Sequence, residues 1–89
     1  MARLDFGSRE LIETSAQNGG TDALLQLGLM YSSGRDVDID LVTAHKWLNL
    51  ATLRGNSQAR MLRQEIAAEM TRSEISKAQR QARKWLSQH

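Results

Sequence analysis

The stretch ALLQLGLMYSSGRDVDIDLVTAHKWLNLATLRGNSQA spans residues 23–59. Its apolar residues return every three to four positions, the period of an α-helix, and do so again after a break. Ala23, Leu27, Met30 and Tyr31 make the first stripe, running on to Gly34. Leu41, Ala44, Trp47, Leu48 and Ala51 make the second. Between them lies a short loop, Gly34–Ile39, and Asp40 stands where a helix N-cap belongs. Gly55 ends the second helix, because glycine takes a left-handed backbone at no steric cost. Gly28 falls inside the first helix, where glycine is about 1 kcal/mol worse than alanine. That placement predicts a neighbouring helix too close for any side chain.

The pattern continues on both sides. Ser8 is a candidate N-cap for a helix reaching Asn18, with Leu11, Ile12, Ser15 and Ala16 on one face and Gly19-Gly20 as its stop. Asn56 caps a further helix whose stripe is Ala59, Leu62, Ile66 and Met70. Thr71-Arg72-Ser73-Glu74 reads as a capping box that starts a last helix, with Ile75, Ala78, Ala82, Trp85 and Leu86 facing inward. Connections this short make neighbouring helices antiparallel. The expectation is an all-α protein of five helices, built from helical hairpins.

The hairpins repeat. Gly19-Gly20-Thr21-Asp22-Ala23 returns 36 positions later as Gly55-Asn56-Ser57-Gln58-Ala59, and Leu11-Ile12 precedes Trp47-Leu48 by the same interval. A repeated hairpin buries its apolar face only by stacking on its neighbours. The pattern Ala23-x3-Leu27-Gly28-x-Met30-Tyr31-x2-Gly34-x2-Val37-x2-Asp40-x3-Ala44-x2-Trp47-x3-Ala51-x3-Gly55-x3-Ala59 resembles the Sel-one-like repeat, a subclass of the tetratricopeptide-like helical repeats. The resemblance covers one full repeat and implies a short right-handed α-solenoid forming a single domain over 1–89. Its parts would be a half-repeat at 8–19, a full repeat at 20–55, a terminal half-repeat at 56–70 and a C-terminal capping helix at 71–87. Three departures stand out. Asp36 occupies a position where the family usually has glycine, Leu41 replaces a usual aromatic, and Arg63-Gln64 stand where Leu and Gly would be expected.

Composition narrows the function. The chain has 89 residues, 40% hydrophobic and 25% charged, a globular balance in a length too small for two ordinary domains. Without cysteine it has neither disulfides nor thiolate chemistry. Residues 1–8 lack the apolar core of a signal peptide, and no run nears the roughly 18 apolar residues of a membrane span. A cytoplasmic protein without membrane partners is expected. Asp36-Val-Asp38-Ile-Asp40 invites a calcium loop, but the sixth and twelfth positions of such a loop are Leu41 and Trp47 rather than Gly and Glu. His45 and His89 have no zinc spacing, and no nucleophile has an evident base. The expectation is therefore no metal, no cofactor and no catalysis.

What remains is surface. The resemblance implies that the first helix of each hairpin lines a concave groove. Leu24, Leu25 and Leu29 lie beside the core stripe and would form an apolar strip there, extended by Met61 with Arg60 and Gln64 at its edge. The competing expectation is that neighbouring helices cover those leucines. The implied function is a protein–protein adaptor or regulator that offers a groove to a peptide or helix. Charge supports a rival. Residues 1–59 carry net −2 and residues 60–89 net +4. Lys77, Arg80, Arg83 and Lys84 give the last helix a basic surface that could read nucleic acid, although the acidic first half would repel phosphate. A homodimer is a further alternative, because so few repeats lie near the lower limit for a stable array.

Overall fold

The computed structural model describes residues 20–88. The half-repeat expected at 8–19 lies outside the described residues. Within them the chain forms four α-helices and no strand: α1 (Thr21–Ser33), α2 (Leu41–Leu53), α3 (Ser57–Ala67) and α4 (Arg72–Gln88).

Each boundary has a local cause. α1 stops at Gly34, whose φ of 77° lets its N–H return to the Met30 carbonyl at 2.9 Å. Asp40 caps α2 by accepting the Thr43 N–H at 3.1 Å and the Thr43 hydroxyl at 2.7 Å. Asn56 caps α3 by accepting the Ala59 N–H at 2.8 Å. The capping box of α4 closes in both directions: the Glu74 N–H donates to Thr71 Oγ1 at 3.1 Å, and the Thr71 N–H donates to Glu74 Oε1 at 2.8 Å.

α2 is the centre of the packing. It lies against α1, α3 and α4, while α1 and α3 meet at few points. The backbones of α3 and α4 scarcely approach each other. The final two helices therefore do not close a hairpin on each other, as their short link led one to expect; both dock on α2. α4 runs parallel to α2. Asp40 and Glu74 share one cleft near the helix starts, and further along Trp47 meets Trp85 edge-to-face, centroids 5.8 Å apart.

The core holds Leu24, Leu27, Met30, Leu48 and Leu50 as its largest fully buried side chains, interleaved with Ala44, Ala51, Ala59, Ala78 and Ala82. The small residues let the helices approach. At Gly28 the approach is extreme: an added Cβ would sit 2.4 Å from Leu48 Cδ2 and 2.5 Å from Leu48 Cγ. Leu86, expected on the inner face of the last helix, is 43% exposed; the seam of α4 ends at Trp85.

Candidate interaction surface

The expected groove strip is not an exposed unit. Leu24 is fully buried in the core. Leu25 is half-buried and packed against that core, and Leu29 is half-buried. The physical reason is the Gly28 contact. Leu24 lies one turn before Gly28, so the close approach of α2 centres the buried face of α1 nearer Gly28 than the Ala23–Leu27–Met30 stripe suggests. Gly28 itself was the available signal, since a residue four before a close-approach glycine shares its face. On α3 the outcome is different. Ala59 and Ile66 face inward, while Arg60, Met61 and Gln64 are exposed together on the outer side, Met61 at 63%. Arg60 also borders a hollow of about 370 Å³ with Thr52, Gly55, Asn56 and Ser57. Arg63, which departs from the family pattern, donates to Asn49 Oδ1 of α2 at 2.6 Å, a polar tie in place of an apolar contact.

A second feature joins residues far apart in the chain. The Asp36–Asp40 loop and the starts of α2 and α4 enclose a cleft of about 590 Å³. Five carboxylates line it (Asp36, Asp38, Asp40, Glu69 and Glu74), with Tyr31, Val37, Ile39, Leu41 and Val42 as its apolar part. Burial alone would raise the Asp40 carboxyl, but the Thr43 backbone and hydroxyl, the Val42 N–H and the Lys77 charge together hold it below its ordinary range. Asp36 has φ +64°, a left-handed backbone that glycine adopts without steric cost and an aspartate rarely does. The spacing of Asp36, Asp38 and Asp40 shows only a loop; Glu69 and Glu74 join it because α4 runs parallel to α2.

α4 presents the opposite charge. Lys77, Arg80, Arg83 and Lys84 are all exposed. A groove of about 300 Å³ runs beside the seam with α2, lined by Lys46, Gln81, Lys84, Trp85 and Gln88. Its Trp85 floor is held by Trp47 edge-on and by the Arg54 guanidinium 5.7 Å from its ring centroid. Within the core, His45 is only 4% exposed and its Nδ1 has no hydrogen-bond partner, as is also true of Trp47 Nε1. Burial, and then the nearby Arg63 charge, push the His45 imidazole below its ordinary pKa.

The described residues thus define a small all-helical unit. Among them no helix is long and apolar enough to cross a membrane. No protein-family model matches the chain. It is similar to the alginate biosynthesis protein AlgK of Azotobacter vinelandii, with 36% identity over 66 residues. The match takes in 74% of this chain and 14% of that protein, so the chain spans about one seventh of the relative's length.

Proposed function

We propose that this chain is a non-catalytic protein-interaction module, a short right-handed α-solenoid whose full repeat spans 20–55 and is closed by 56–70 and the capping helix at 71–87. The contact face is the outer side of α3, with Arg60, Met61 and Gln64 at its centre and the half-buried Leu25 and Leu29 of α1 at its margin. The observation that carries this reading is Met61. A large apolar side chain, 63% exposed between a cation and an amide, has the anatomy of an interface centre with a polar rim. The resemblance to the Sel-one-like repeat supports the same class of role.

The test is site-specific photo-crosslinking with the full chain in its native host. A crosslinker at position 61 should give a discrete protein adduct that is absent with the crosslinker at position 76, an exposed position on α4. Met61→Glu should remove the partner from a pull-down while the helical circular-dichroism signal is unchanged. Equal adducts at both positions, or capture unaffected by Met61→Glu, would sink the proposal.

A further inference from the structure

We propose that the Asp36–Asp40 loop of one copy docks head to tail into the basic groove on α4 of a second copy. This contact uses a different surface from the α3 face and stands or falls separately from it. Three observations meet here. First, Ile39 is 63% exposed on the rim of the cleft it helps to line, with Asp36 and Asp38 exposed beside it. Second, the loop is already fixed. The Asp40 N–H donates to the Tyr31 carbonyl at 2.9 Å, and Ile39 rests so tightly on Gly34 that an added Cβ there would lie 2.9 Å from Ile39 Cγ1. A preorganised loop loses little freedom on binding. Third, the α4 groove is the complement: the edge of the largely buried Trp85 in its floor, with Lys84, Gln81, Gln88 and Lys46, whose ammonium lies over the Trp47 ring at 4.1 Å, along its walls. An apolar knob with acidic flanks meets an apolar floor with basic walls, which sets both attraction and register.

Placement makes the contact intermolecular. Loop and groove lie at different points along the α2–α4 seam, so the loop of one molecule cannot enter its own groove. The two surfaces are also different from each other. A contact between unlike surfaces does not close on itself at two copies, and growth continues by addition at either end. A second copy is favoured over nucleic acid because the acidic complement is part of this same chain, and because Glu69 and Glu74 at the start of α4 would repel a phosphate backbone laid along that helix.

Sedimentation velocity with the full chain tests this, over about 10 µM to about 1 mM protein, at about 0.05 M and about 0.5 M NaCl. The wild type should grow past the dimer with concentration at low salt and revert toward monomer at high salt. Ile39→Glu removes the knob and leaves the groove; Lys84→Glu removes the groove and leaves the knob. Both positions are exposed, so helicity should persist in each variant. Each variant alone should associate at least about tenfold more weakly. Mixed in equal amounts, the two possess one competent contact and should stop at a one-to-one dimer. A wild type that stays monomeric overturns the proposal, as does a fixed-size dimer indifferent to both substitutions, or a mixture that fails to pair. Binding of duplex DNA that Lys84→Glu abolishes and Ile39→Glu spares, without self-association, would instead give α4 to nucleic acid.

Discussion

Gly28 and Leu48 touch across the α1–α2 crossing, and the absence of one Cβ sets their distance. Gly28→Ala gains about 1 kcal/mol of helix propensity but drives a carbon into the buried body of Leu48, an overpacking that costs about 1–3 kcal/mol. The variant should be less stable by about 1 kcal/mol in denaturant melts, and Gly28→Val, which adds bulk and β-branching, clearly worse. His45 gives a pH dependence of definite sign. Its folded-state pKa lies below the ordinary value of 6.5, so in the interval between them the unfolded chain holds a proton that the folded chain does not. Stability is therefore full above that ordinary value, declines as pH falls through it, and levels off below the folded-state pKa. Thermal melts from about pH 8 to about pH 5 should show the decline, and His45→Leu should flatten that part of the profile. A slope unchanged by His45→Leu would place the titration elsewhere.

At the scale of the element, the two flanks of α1 are energetically unlike although both are leucine. Leu24→Glu buries a carboxylate in the core and should unfold the chain or cost several kcal/mol. Leu25→Glu, half-buried, can turn its charge toward water and should cost about 1 kcal/mol or less. Comparable losses from both would mean that the faces of α1 are misassigned. The helix starts and stops were legible in the sequence because caps are local chemistry. Asp40, Asn56, the Thr71–Glu74 box and Gly34 each act within four residues of their partners. The face of α1 was less legible, because its rotation depends on how closely α2 approaches. Leu86 was misplaced for a related reason: helical spacing continues past Trp85, but burial depends on what packs there, and Leu86 is left 43% exposed.

For the whole molecule, the all-helical class followed from periodicity, while the path of the last helix did not. Short links predict sequential hairpins, yet α4 packs on α2 rather than on α3, and there Trp85 finds Trp47 and Arg54. That choice depends on side chains nearly forty positions apart, beyond the reach of local pattern. It also creates both charged surfaces: parallel α2 and α4 bring Glu69 and Glu74 to Asp36–Asp40 and set Lys84 near Lys46. Because α3 and α4 are each held by α2 and scarcely by one another, residues 68–71 join two pieces anchored mainly on α2, with Met70 as the one link residue packed against the core. Such a link can be lengthened. Inserting glycine and serine between Met70 and Thr71 should lower stability only by the entropy of a longer loop, about 0.6 kcal/mol per doubling of length, provided Met70 keeps its place against the core and Thr71 and Glu74 keep their mutual cap. In evolutionary terms, this joint is where the molecule could accept foreign sequence without surrendering its core.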